Sequence, residues 1–255
     1  MSYTSYLAVF AAGLGAGAIN SFAGGGTLLT FPVLVWAGRD VVVANATNAL
    51  ALWPGAIASA FALRREAARA THLLRLLLPV TLLGALLGSI LLLATPARLF
   101  SALVPYLVLV ATLLIALRRP LTKWLPALSS AATPSAGRSS VLAGVQLLVA
   151  IYGGYFGAAI GILMIAALGL YGVSDMHVRN GVKNVLGAAV NGLAGVYFAC
   201  AGVINWPDAL VLSVSAVIGG YLGASFSRRL SPQMGDALVF TIGILATVAL
   251  AVHSR

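Results

Sequence analysis

The chain has 255 residues, 61% of them hydrophobic and 8% charged. A soluble domain carries roughly 25% charged residues, so this composition excludes a water-soluble globule and describes a polytopic membrane protein. The net charge of +10 does not indicate nucleic acid, because the 15 basic residues lie in short clusters between apolar segments rather than on one amphipathic face.

The first apolar stretch, 6–37, follows an N-terminus without a basic n-region and is too long for a signal h-region, so it reads as retained. Inside it stands Asn20-Ser21-Phe22-Ala23-Gly24-Gly25-Gly26-Thr27, followed by Pro32. Each glycine costs on the order of 1 kcal/mol relative to alanine in a helix interior, and proline costs more. The stretch is therefore expected to break. Irregular backbone is tolerated at membrane depth only when it is buried in protein or lines a watery cavity. A helix restarting near Thr27 would aim its free N–H groups and positive dipole end into that cavity, with the hydroxyls of Ser21 and Thr27 beside it. Such a site suits an anion.

Three uncharged spans of membrane-crossing length follow, at 41–63, 73–94 and 99–117. The first carries Asn45, Asn48, Gly55 and Ser59 in a stripe interrupted by Leu52. An Arg/Pro/Ser-rich linker, 118–139, separates this unit from a second long stretch at 141–173 and spans at 182–201, 209–226 and 237–252. An offset of 136 residues pairs Gly17 with Gly153, Ala23 with Ala159, Gly25 with Gly161, Asn48 with Asn184, Leu50 with Leu186, Gly84 with Gly220 and Pro96 with Pro232, without a gap. Residues 1–117 and 140–255 thus read as two copies of one unit.

In the second copy the glycines recur at Gly153, Gly157 and Gly161 instead of forming a run, which fits either a second break or close helix packing. Its stripe is Asn180, Asn184, Gly187, Asn191 and Gly195, and Lys183 stands about one and a half turns, roughly 7 Å, into that helix. Lys183 either snorkels to the headgroups or supplies fixed positive charge to an entering anion. The stripes themselves fit either interhelical amide bonding or a binding surface. Gly84/Gly88 and Gly219/Gly223 read as packing.

Charge bias orients the halves. With each long stretch folded back as a re-entrant hairpin, 12 basic residues fall on the cytoplasmic side, and only Arg39, Arg98 and Arg255 fall outside. With single crossings the split is 9 to 6. Hairpins are favoured, and with them inverted repeats. The expected fold is all-α and polytopic: two inverted repeats, each a broken, re-entrant helical hairpin followed by three transmembrane helices. Arms of about 14 to 16 residues would reach roughly 23 Å and stop inside a 30 Å core.

All five acids, Asp40, Glu66, Asp175, Asp208 and Asp236, lie in loops or at segment ends, so no carboxylate relay is expected to cross the membrane. The single cysteine, Cys200, excludes an internal disulfide and a cysteine-based metal site, and no cofactor or metal is expected. No H-E-x-x-H, no G-x-S-x-G and no paired acids occur in the apolar segments, which argues against an enzyme.

Gly13-Leu-Gly-Ala-Gly17-Ala-Ile-Asn20-Ser21-Phe-Ala-Gly24-Gly25-Gly26-Thr27 through Phe31-Pro32, with Ala44-Asn45-Ala46-Thr47-Asn48, resembles the glycine-run and A-x-A-T-N signatures of the TauE/SafE sulfite exporter family. Tyr152-Gly153-Gly154-Tyr155-Phe156-Gly157 and Lys183-Asn184 with Asn191 are similar to the family's second-half counterpart. The resemblance covers nearly the whole chain. Ala159 departs from it, since many relatives carry another glycine there. It implies a multi-pass permease of the cell inner membrane that transports small sulfur-containing anions, such as sulfite, thiosulfate or organosulfonates, usually outward. It also implies a site between two homologous halves. The residues expected to hold the anion are Asn20, Ser21, Gly24, Gly25, Gly26, Thr27, Asn45, Asn48, Lys183, Asn184 and Asn191. Import of the same anions and a non-transport scaffold remain as alternatives, and the sequence does not give the oligomeric state.

Overall fold

The computed structural model describes residues 3–22, 25–117 and 136–226, with four further positions at 240, 241, 244 and 247. Gly24, the side chain of Ser21, the linker as far as residue 135 and most of the last expected span lie outside the described residues. Within them the chain is helical: α1 (Tyr3–Phe22), α2 (Thr27–Trp36), α3 (Val41–Ala62), α4 (Arg64–Ala68), α5 (Thr71–Ala94), α6 (Ala97–Ala116), α7 (Ala136–Tyr155), α8 (Ile160–Leu170), α9 (Met176–Cys200) and α10 (Trp206–Phe226). Three of these, α3, α5 and α6, are long and apolar enough to cross a bilayer by length and composition.

The first long stretch breaks after Phe22, and α2 starts at Thr27. Gly25 has φ +107°, a left-handed conformation that only glycine adopts freely. The second stretch also breaks, so the ambiguity in its spaced glycines resolves in favour of a break. There α7 ends at Tyr155 and α8 starts at Ile160. Gly157 stands at φ +78° and Ala159 at φ +60°.

The arms are unequal, in contrast to the 14 to 16 residues expected for each. First arms α1 and α7 have 20 residues, whereas α2 has 10 and α8 has 11. The helices begin earlier than the apolar stretches do, because polar residues such as Thr4 and Ser139 are accommodated in their first turns, and each break lies late. The short arms reach only about 15–17 Å at 1.5 Å per residue.

Two acids start helices. Asp40 accepts hydrogen bonds from the amides of Val42 and Val43 at the head of α3, and Asp175 does the same for His177 and Val178 at the head of α9.

Helix α1 packs along α10, α5 along α7, and α3 across α9. The first two contacts are backbone against backbone. A Cβ on Gly17 would stand 2.0 Å from the Ala216 carbonyl oxygen, and one on Gly88 would stand 2.0 Å from that of Ile151. Gly84 meets Leu147 and Ala150 while Gly88 meets Ile151 and Tyr155, so α5 and α7 run in the same direction. Gly13 meets Leu212 and Gly17 meets Gly220, so α1 and α10 do too.

The second stretch turns back on itself: the hydroxyl of Ser139, near the start of α7, lies 2.9 Å from that of Tyr171, just after α8. Two large apolar clusters and a small one result among the described residues. One large cluster gathers Phe31, Leu34, Phe100, Phe156 and Phe198; the other gathers Leu73, Leu77, Met164, Leu168 and Leu186.

Candidate functional site

The two breaks meet at one cavity of about 90 Å³. A single water needs only about 10–15 Å³, so the space admits a small ion with residual water. Its wall joins Asn20, Gly25 and Thr27 from the first break to Gly157, Ala159, Ile160 and Gly161 from the second. Helix α3 adds Leu52, Gly55, Ala56 and Ser59, and α9 adds Lys183, Asn184, Gly187 and Asn191. Met164 completes an apolar side. The α3 and α9 residues recur every three or four positions, the period of one helix face.

Of the expected site residues, Asn20, Gly25, Thr27, Lys183, Asn184 and Asn191 line this cavity. Gly26 stands behind it, and its amide donates to the Asn20 Oδ1 at 2.9 Å, which ties the end of α1 to the start of α2. A Cβ on Gly26 would stand 2.7 Å from both the Ala16 carbonyl oxygen and the Asn20 Nδ2.

Asn45 and Asn48 are buried and absent from the cavity wall. The Asn48 Nδ2 donates to the Thr27 Oγ1 at 3.2 Å, and its Oδ1 accepts from the Thr30 hydroxyl. The residue therefore sets the position of α2. Asn45 donates to the carbonyl of Tyr155 at 2.9 Å, the last residue of α7, and its own Oδ1 is buried with no hydrogen-bond partner among the described residues. Between them the Thr47 hydroxyl accepts from the amide of Asn205 at 3.0 Å. The A-x-A-T-N segment thus clamps three neighbouring elements.

The amides at the two breaks differ. At the first, Leu28 bonds to Gly25, and Leu29 and Thr30 bond to Gly26. Together with the Gly26 bond to Asn20, this leaves fewer free donors than a run of glycines suggests. At the second, the Ile162 amide bonds to Ala159, whereas the amides of Ile160 and Gly161 have no acceptor among the described residues. Both residues line the cavity, and they form the positive end of the α8 dipole.

Lys183 is 7% exposed, and its stem crosses this same place. A Cβ on Gly161 would lie 3.1 Å from the lysine Cδ, so the missing side chain makes the corridor for the lysine. Asn184 donates from Nδ2 to the Ser59 carbonyl at 3.3 Å, joining α9 to α3 at the cavity rim.

Sequence reasoning missed Ser59 and Gly161 as members of the wall, although Ser59 stood in the α3 stripe. It also missed Met164 and Ile160, which carried no signal beyond apolarity. Arg179, one of the 12 basic residues counted on the cytoplasmic side, is 4% exposed and donates from Nε to the Val173 carbonyl just beyond α8. No cluster of three or more His, Cys, Asp or Glu side chains able to hold a metal occurs among the described residues.

Comparison with known proteins points to membrane transporters. The chain is 29% identical over 250 residues to a probable membrane transporter protein of Haemophilus influenzae, covering 94% of this chain and 91% of the relative. Against the probable membrane transporter protein ORF9 of Sinorhizobium sp it is 27% identical, covering 96% and 90%. Against the probable membrane transporter protein YfcA of Escherichia coli the identity is 27%, covering 92% and 84%. No solved structure is a significant match. The model of the family described as sulfite exporter TauE/SafE matches residues 9–250, and this chain belongs to that family of membrane transporters.

Proposed function

We propose that the protein carries small sulfur-containing anions, such as sulfite, thiosulfate or organosulfonates, outward across the inner membrane, binding them where the two helix breaks meet. The observation that carries this reading is one cavity bounded by both breaks, by the free amides of Ile160 and Gly161, and by the buried Lys183. Donors in that arrangement are fixed before the ligand arrives, so little ordering is required on binding. The amides of Asn20, Asn184 and Asn191 supply neutral donors around the charge.

The two halves are inverted repeats, 1–117 and 140–255, joined by the linker 118–139. In support, α1 runs with α10 from the end that holds Arg39, and α7 runs with α5 from the end that holds Arg69. The short arms α2 and α8 would each stop about halfway through a 30 Å core, which suits re-entrant hairpins. Movement of one half against the other would expose the cavity to alternate sides.

Binding of sulfite, thiosulfate, taurine and sulfoacetate to the purified protein tests the reading. Saturable binding of at least one of them, lost in a folded Lys183→Met variant, is expected. Equal and unsaturable signals for all four, unchanged in the variant, would defeat it. Flux in vesicles of the two orientations then gives the direction, and net movement toward the cytoplasmic face would replace export by uptake.

A further inference from the structure

Beyond the cavity, toward the start of α3, the two halves are held together by a dense set of contacts. Arg39, after α2, pairs with Asp208 in the first turn of α10 through its Nε, and through a second nitrogen at 3.3 Å. The carboxylate is 0% exposed and the guanidinium side chain 24%. Phe31 of α2 meets Phe156 of the second break edge-on at 5.3 Å between ring centroids, and Phe100 of α6 lies 6.4 Å from Phe156. Asn45 on Tyr155 and Thr47 on Asn205 complete the set.

Every one of these contacts joins a residue before 117 to a residue after 140. Helix α3 records the same asymmetry along its length. It is buried from Ala44 to Asn48, Leu52 is 5% exposed, and Gly55, Ala56 and Ser59 are half-buried.

The opposite end holds a counterpart that is loose. Arg69, before α5, lies 3.6 Å from Asp175, before α9, with side chains 69% and 44% exposed. This pair also joins the two halves, but it is an exposed ion pair of the kind that contributes little. The buried pair is of the kind whose disruption is strongly felt.

We propose that the Arg39–Asp208 pair, together with the Phe31–Phe156–Phe100 rings, is the gate that shuts the Arg39 end of the path in this conformation, and that transport requires it to part. An anion leaving the cavity toward that end competes with Asp208 for the Arg39 guanidinium, so the cargo itself favours the open gate. The spare acceptor of Asn45 lies on the same side, and opening gives it access to water.

The gate rests on the transporter reading above, but its test is independent of substrate identity. Cys200 is exposed, so a Cys200→Ser background carrying Ala56→Cys places a single thiol in the cavity wall. Vesicles of both orientations are treated with a charged, membrane-impermeant maleimide. In the parent, labelling from the Arg69 face only is expected. In Asp208→Asn, labelling from the Arg39 face rises about tenfold or more, the effect of about 1.4 kcal/mol on the gating equilibrium. The swapped pair Arg39→Asp with Asp208→Arg restores one-sided labelling. Phe31→Leu leaves the ion pair intact and is the second variant, expected to shift labelling in the same sense. Gel filtration and thermal melting identify the variants that remain folded. Unchanged one-sided labelling in a folded variant of either kind, or a parent labelled equally from both faces, overturns the gate. A parent that binds no anion but responds as expected to the gate variants instead counts against the cargo assignment alone.

Discussion

At the level of single residues, the proposed site turns on Lys183 and on the glycine that admits it. The lysine is 7% exposed beside amides that already carry partial positive charge, so in the proposed site an arriving anion would gain a charge-assisted contact there. Lys183→Met removes a charge-assisted contact worth about 1.5–3 kcal/mol, so sulfite binding is expected to weaken roughly 10- to 100-fold, as read by calorimetric titration. Gly161→Val closes the corridor for the lysine stem and is expected to lower affinity in the same assay while leaving the helix content of the protein unchanged. Ala159 offers the opposite case. It holds φ +60°, where an alanine is strained by about 1–2 kcal/mol, so Ala159→Gly is expected to stabilise the fold by about 1 kcal/mol in reversible unfolding from detergent. Asn48 shows what composition alone hid: its neighbours in the sequence form a polar stripe, but its amide is engaged by Thr27 and Thr30 and it stands off the cavity wall. The geometry therefore makes it a positioning residue for α2 rather than a wall residue.

The helices owe their ends and their contacts to short-range chemistry that was mostly visible in the sequence. Asp40 and Asp175 precede α3 and α9 as acids next to apolar runs, the usual setting of an N-cap. The amide of His177 is the main cause that draws the Asp175 carboxyl below its ordinary value. A carboxyl lowered in the folded state stabilises above its unfolded pKa of about 3.8, and that contribution is lost as the pH falls through the folded value. Protection of the His177 and Val178 amides against hydrogen exchange is accordingly expected to decline below about pH 3.8 and to be constant from pH 5 to 7. The glycine spacings at Gly84 and Gly88 read correctly as packing, because a Cβ at either position would collide with the α7 backbone. Gly88→Ala is expected to cost about 1–3 kcal/mol or more in detergent unfolding, as overpacking against a rigid neighbour does. The glycines of the second stretch were ambiguous for a reason that also follows from packing. A Cβ on Gly153 would stand 3.0 Å from the Val190 Cγ1, so this glycine serves packing, whereas Gly157 opens the turn with φ +78°, and one spacing served both purposes.

Across the whole molecule, charge and its absence decide what can drive the cycle. Asp40 and Asp175 are caps, Glu66 lies in α4 and Asp208 is paired, so the described acids form no chain across the cavity. An inside-negative potential supplies about 2.3 kcal/mol per charge at 100 mV and pushes anions outward. Reconstituted anion flux is therefore expected to follow the imposed voltage, and to be indifferent to a proton gradient at zero voltage. By itself the sequence determined the membrane class, the first helix break and the family, since each depends on composition, on backbone propensity or on residues close together in the chain. It also marked Lys183, Asn184 and Asn191, because a polar stripe on an apolar helix costs free energy unless it meets a partner. Only the tertiary structure decided that Asn45 and Asn48 turn to structural contacts, that Ile160 and Gly161 keep amides without an acceptor among the described residues, and that Arg39 meets Asp208 across 169 positions. Those outcomes depend on which atoms of distant segments satisfy one another first, and hydrogen-bond capacity used in one contact is no longer available for the next.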